Sequence, residues 1–116
     1  MTPEAKEMIS DVESVPTFAV MRQLRTHLIE GEYLGTIKRL RHSDYRMPAV
    51  VEAGEVRCVA GFRIVEFLAH GNFLYVDDLA AGESARSEGH AKRMLGWLSA
   101  VAREESCRSL QLDSGV

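Results

Sequence analysis

The chain has 116 residues, 46% of them hydrophobic and 27% charged, with a formal net charge of −3. That is enough for one core and too little for two domains, and the mildly acidic balance excludes nucleic acid as an electrostatically favoured partner. Met1 to Glu7 lacks the basic start and apolar run of a signal peptide, and no apolar stretch approaches the roughly 20 residues that span a bilayer, so no membrane association and a cytoplasmic location are expected.

Residues 1–13 are polar and poorly patterned. Ser14 or Asp11 can then cap a helix that carries Pro16 in its first turn, where a missing N–H costs little, with Phe18, Met21, Leu24 and Leu28 on one stripe. This predicts a helix from about 15 to 29. Gly31 and Gly35 interrupt, and Tyr33, Leu34, Ile37 and Leu40 predict a second, shorter helix ending near Ser43 and Asp44. Its basic cluster, Lys38, Arg39, Arg41 and His42, is too short and too poor in aromatics for a nucleic-acid surface and reads as a solvated helix face.

From Pro48 the apolar period changes to two. Ala49 to Ala53, then Val56 to Leu68 after Gly54, then Phe73 to Ala80 after His70-Gly71-Asn72, predict a three-stranded antiparallel meander. Farther on, Ala91, Met94, Leu95, Leu98, Val101 and Ala102 recur at helical spacing and mark a core-facing stripe. Leu110 and Leu112 alternate in a short last strand, Ser109 to Leu112, joined to the third strand of the meander by a right-handed βαβ crossover. The fold class is α/β with a mixed sheet, in the α+β sense.

Two cysteines in separate elements make no disulfide framework, and Cys58, on the alternating face Val56 to Ile64, reads as a core thiol. His27, His42, His70 and His90 show no metal-ligand spacing, so no metal site is predicted.

The stretch from Asp78 to Leu95 is a strand end, a short loop with the spacing Arg-x-x-Gly-x-Ala at Arg86, Gly89 and Ala91, and the start of the amphipathic helix. A helix N-terminus carries unpaired N–H groups and partial positive charge, so a diphosphate can be bound there by main chain alone. Gly89 and Ala91 keep that approach open.

This pattern resembles the acetyl-CoA motif of the GNAT superfamily of N-acetyltransferases, Arg/Gln-x-x-Gly-x-Gly/Ala, which follows the fourth strand and opens the third helix. The similarity runs upstream through Phe73 to Ala81, downstream through Leu112, and includes Met21 to Leu28 as part of the first helix. It implies a GNAT-like fold with a first strand near Lys6 to Ser10, two N-terminal helices, the meander and the βαβ unit. It also implies acetyl-CoA as acyl donor and a primary amine of a small molecule or protein as acceptor. By the resemblance, the main chain of Leu79, Ala80 and Ala81 would pair with the pantetheine arm, and Arg86, Ser87, Glu88, Gly89, His90, Ala91 and Lys92 would hold the diphosphate. The work there is done by backbone, so side-chain identity at Ser87, Glu88 and His90 is expected to be free.

Asp77 and Asp78 interrupt an apolar strand, and neighbouring strand residues face opposite sides, which predicts that the two cannot share one role. Asp77, on a face with Tyr75 and Leu79, matches the place of an acidic base in some family members and is the expected catalytic residue. Many members draw a general acid from a tyrosine in a helix after the strand where this sequence ends; Tyr33, Tyr45 and Tyr75 do not match that place. Two readings follow: an N-acetyltransferase, or a truncated non-catalytic acyl-CoA-binding or interaction module. The missing segment would leave Ser109 to Leu112 as an open edge, so a homodimer or larger assembly through that strand is expected.

Overall fold

The computed structural model describes residues 4–69, 71–82 and 87–112. Among the described residues five strands form one sheet whose spatial order is the chain order: β1 (Ala5–Glu7), β2 (Pro48–Glu52), β3 (Glu55–Phe67), β4 (Gly71–Ala81) and β5 (Ser109–Leu112). The first four are antiparallel to their neighbours, and β5 lies parallel to β4 with Phe73 opposite Ser109 and Val76 opposite Leu112. The meander and the crossover strand thus stand where the period-two pattern put them, and the sheet is mixed. The β2–β3 turn is Ala53-Gly54, both with positive φ, the backbone that matches the twist of a two-residue hairpin. His70, in the β3–β4 turn, lies outside the described residues.

The N-terminal helical segment is not one helix from 15 to 29. It comprises α1 (Asp11–Ser14), a 3-10 turn over Val15–Thr17, and α2 (Phe18–Leu24). Pro16 sits in the 3-10 turn, where its missing N–H breaks the regular ladder. At the other end Arg25 leaves helical geometry with φ −112° and ψ 79°, and its side chain turns toward β4. The next helix, α3 (Glu30–Arg41), contains Gly31 and Gly35 instead of being interrupted by them; burial of Tyr33 and Ile37 outweighs the glycine penalty of about 1 kcal/mol each. The basic cluster is not simply a solvated face either: Arg41 donates to the Met8 carbonyl at 2.7 Å and to Ser14 Oγ at 2.8 Å, and Lys38 pairs with Asp11 at 3.0 Å.

Alternation along the strands divides the core between the two sheet faces. On one, Met47, Ala49, Val59 and Ala80 pack with Phe18, Val20 and Met21 and with Tyr33 and Ile37. On the other, Val50, Cys58, Ala60, Phe62, Leu74 and Val76 pack with Met94, Leu98, Val101 and Ala102 of α4 (Ser87–Glu104). Cys58 is fully buried there, as its apolar face predicts, and burial pushes its thiol up to about 12. No described helix is long and apolar enough to cross a membrane.

Candidate active site

The site begins with an irregularity in β4. Gly61 of β3 pairs with Asp78, but the next residue, Phe62, pairs with Val76, so Asp77 is an extra residue on β4. A bulge of this kind leaves one residue unpaired and locally cancels the alternation of faces. The effect is visible on both sides of it. Leu74 and Val76 pack toward α4, as strict alternation requires, yet Leu79 and Ala81 also pack toward α4 while Ala80 packs on the opposite face.

The bulge corrects the expected separation of the two aspartates. Asp78 shares the face of its partner Gly61, the side of α2 and α3, and Asp77 is reached from that same side by Arg63, two residues along β3 from Gly61. Asp77 Oδ2 lies 2.8 Å from Arg63 Nη2 and accepts from Arg63 Nε at 2.9 Å. Asp78 accepts from Arg25 Nε at 2.8 Å through Oδ1 and from the Tyr45 hydroxyl at 2.9 Å through Oδ2. Arg25 Nη2 also donates to the Asp77 carbonyl at 3.0 Å, so one guanidinium holds both the Asp78 side chain and the backbone of the bulge.

Tyr45 reaches Asp78 because β3 has a glycine beneath it. A Cβ built on Gly61 would collide with the Tyr45 ring and hydroxyl, so only glycine lets the phenol lie against the strand. Burial first, and then the adjacent Asp78 carboxylate, push the Tyr45 phenol well above its ordinary value, so it stays a hydrogen-bond donor. Deeper on this face, Thr17 donates to the Ser14 carbonyl at 2.5 Å and shares a 2.7 Å hydrogen bond with the Tyr33 hydroxyl, which lies 3.5 Å from Met47 Sδ.

Between α2, the segment after it, and α3 opens a cleft of about 210 Å³. Met21, Leu28, Ile37 and Leu40 supply aliphatic walls, and Tyr33, Tyr45 and Asp78 supply hydroxyls and a carboxylate; Arg25, His27 and Thr36 also line it. A smaller recess of about 160 Å³ shares His27, Leu28, Tyr33 and Thr36 and adds Ile29 and Glu32. Asp78 lines the cleft, whereas Asp77, the expected base, is absent from its lining.

On the opposite edge of β4, the described pairing with β5 ends at Val76. From Asp78 to Ala81 the strand pairs with β3. That run contains Leu79, Ala80 and Ala81. It leads toward the start of α4, whose first turns contain Ser87, Gly89, Ala91 and the exposed Lys92. A Cβ on Gly89 would meet nothing within 4 Å among the described residues. A first-turn glycine with no described neighbour at its Cβ position is compatible with a diphosphate held by helix N–H groups. Arg86 and the side chains of Ser87 and Glu88 lie outside the described residues.

His90 departs from expectation. Its side chain is buried, with Nε2 3.8 Å from Glu52 Oε1 and Nδ1 without a hydrogen-bond partner among the described residues. Its identity is thus constrained by packing under the helix start, not free. Among the described residues no group of His, Cys, Asp or Glu gathers with metal-holding geometry.

Sequence reasoning missed the contacts that Arg25, Tyr45 and Gly61 build around Asp78. One signal was legible: a lone glycine inside the long strand Val56 to Leu68 marks a close approach, here of Tyr45.

Comparison with known proteins agrees with this architecture. The model of the acetyltransferase (GNAT) family matches residues 11–116. A Bacillus subtilis (strain 168) protein described as an uncharacterized N-acetyltransferase, YhdJ, is 27% identical over 112 residues, which is 96% of this chain and 79% of that protein. A GNAT family acetyltransferase from Staphylococcus aureus has a TM-score of 0.85 at 15% identity, covering 100% of this chain and 89% of its own. An aminoglycoside N-acetyltransferase solved in complex with CoA has a TM-score of 0.79 at 13% identity, covering 98% of this chain and 79% of its own.

Proposed function

The chain belongs to the acetyltransferase (GNAT) family, and from that premise we propose that it moves an acetyl group from acetyl-CoA to a primary amine of a small molecule or protein. The amine nitrogen bonds to the acetyl carbon, the carbon–sulfur bond breaks, the amine gives up a proton and the thiol of CoA is released. The observation that carries this reading is the bulge at Asp77. It turns two carboxylates toward the cleft side.

In this reading the main chain of Leu79, Ala80 and Ala81 holds the pantetheine arm and aims an N–H at the acetyl oxygen. The first turns of α4, with Ser87, Glu88, Gly89, His90, Ala91 and Lys92, hold the diphosphate through backbone N–H groups, with Arg86 ahead of them. Asp77 is the base expected from the family pattern, and Asp78 stands beside it on the same face; Asp77→Asn is expected to lower thiol release while acetyl-CoA affinity stays nearly unchanged, and parent-like rates across a pH series would remove Asp77 from the mechanism. Because an arginine engages each carboxylate, binding without turnover is the second reading. The outer edge of β5 is where a second copy would add a strand.

Calorimetric titration with acetyl-CoA, paired with a thiol-release assay over an amine panel, tests the proposal. Gly89→Val puts a β-branched side chain where the diphosphate must approach, and is expected to weaken acetyl-CoA binding at least tenfold with an unchanged circular dichroism spectrum. Parent-like affinity in that variant would remove the α4 cradle. Tight binding with no thiol release from any amine would favour the binding module.

A further inference from the structure

We infer that the cleft beside Asp78 takes a single amine carried on an apolar stem, with the nitrogen held at the Asp78 carboxylate and that carboxylate positioned by Tyr45 lying against Gly61. The inference rests on the proposed acetyl transfer and specifies its acceptor.

Three observations converge on it. Met21, Leu28, Ile37 and Leu40 give the cleft an aliphatic wall, Arg25, His27, Thr36, Tyr33 and Tyr45 add polar groups, and Asp78 is the one carboxylate among the described residues lining it. An acceptor with several ammonium groups would find one carboxylate for them and set the rest beside the Arg25 guanidinium and the aliphatic wall, and unpaired charge is costly to bury. A single amine on a hydrocarbon or aromatic stem satisfies both parts of the lining at once.

The second observation is the capacity left on Asp78. A carboxylate offers about four lone-pair positions, and two are used, by Arg25 Nε and by the Tyr45 hydroxyl. The carboxylate is therefore fixed in orientation and can still accept from an amine. Its side chain is only 15% exposed, so an amine reaching it from the cleft does so with little competition from water.

The third is the cost of the Tyr45 seat. Gly61 occupies the middle of β3, where glycine weakens a strand, and its one visible return is room for Tyr45 to reach Asp78. Tyr45 is a positioning residue: it does not touch the reacting atoms but sets the oxygen that does. A stem of this chemistry exists both as a free monoamine and as a lysyl side chain, and the two are separated by experiment.

The test titrates 2-phenylethylamine, a blocked lysine amide, glucosamine and spermidine into the intact protein, with and without CoA, and measures thiol release with acetyl-CoA for the same four. Either or both of the first two should bind and react at least tenfold better than glucosamine and spermidine, and which one does identifies the source. Asp78→Asn should weaken binding of the preferred amine at least tenfold. Tyr45→Phe, which keeps the ring, should raise the amine KM at least threefold while the acetyl-CoA KM stays within twofold; a merely structural role would move both. Gly61→Ala should reproduce the Tyr45→Phe effect. Should Gly61→Ala fail to fold, Tyr45→Phe alone decides the positioning role. Preference for glucosamine or spermidine, or unchanged amine binding in Asp78→Asn, would overturn the inference while thiol release kept the acetyltransferase reading intact. Amine binding as expected without thiol release from any amine would overturn the acetyltransferase reading and keep the subsite.

Discussion

The two faces of the sheet are built from the same strands and solve opposite problems. The face under α4 is mostly apolar: Phe62, Leu74, Val76, Met94 and Leu98 are fully buried, and Phe62 meets Trp97 edge to face at 5.9 Å, with the buried His90 at the helix start and the Arg46 guanidinium over the Phe62 ring as its polar exceptions. The face under α2 and α3 is threaded with polar groups, from Ser14 and Thr17 at its deepest point through Tyr33 and Tyr45 to Asp78 at the cleft. Aliphatic packing needs only volume, whereas each buried hydroxyl or carboxylate needs a partner in a specific place. Apolar packing and paired polar groups are thus concentrated on different sides of one sheet, with β4 contributing to both.

The largest expected effect tests the apolar side. Phe62→Ala removes a fully buried ring and is expected to lower the unfolding free energy by about 3–5 kcal/mol, read from urea denaturation. The folded fraction should still bind the preferred amine as the parent does. If amine affinity fell in proportion to stability, the division between faces would be wrong.

A smaller effect tests the polar side. Thr17→Val keeps the shape and removes the hydroxyl that Tyr33 shares at 2.7 Å, leaving the phenol only the weak Met47 sulfur acceptor. The expected cost is about 1–2 kcal/mol by the same denaturation measurement. A neutral Thr17→Val would show that the hydroxyl network adds no stability and that this side is held by its apolar contacts alone.

The smallest effect lies at the surface of the same side. Glu13 closes a capping box with Ser10 at the start of α1, and hydrogen bonds from the Ile9 and Ser10 backbone, with Lys6 nearby, lower its carboxyl from 4.5 to about 2. A folded-state value below the unfolded one means that this carboxylate stabilises the fold above pH 4.5 and loses that contribution as pH falls toward 2. Thermal melts should accordingly show Glu13→Gln slightly below the parent at neutral pH, with the gap closing as pH drops through that window. A constant gap would assign the effect to something other than the charge.

What was legible in the sequence follows the same division. The α4 stripe and the meander carry strong periodicity because apolar packing selects residues by spacing, and Ser109 to Leu112 reads as a strand for the same reason. The polar side is written in pairs far apart in the chain. Arg25 and Tyr45 meet Asp78 across most of a domain, and no local pattern records that meeting. The bulge is equally silent, because one extra residue in β4 is defined only by what β3 places opposite it. Strict alternation was therefore the wrong rule at the one position where the strand departs from it. The helix over 15 to 29 failed for a local reason, since Pro16 is tolerated in a first turn but here sits between two short helical pieces.

Arg25 joins two parts of the protein that would otherwise act separately. Its Nε is bonded to the Asp78 carboxylate in the cleft and its Nη2 to the Asp77 carbonyl in the strand that frames the opposite edge. Whatever draws this guanidinium away from the cleft also takes a donor from the bulge, and whatever steadies the bulge favours the guanidinium's seat. If the proposed amine and acetyl-CoA are coupled through Arg25, thermodynamic reciprocity makes each alter the other's affinity by an equal factor, a linkage that the amine titrations with and without CoA measure directly.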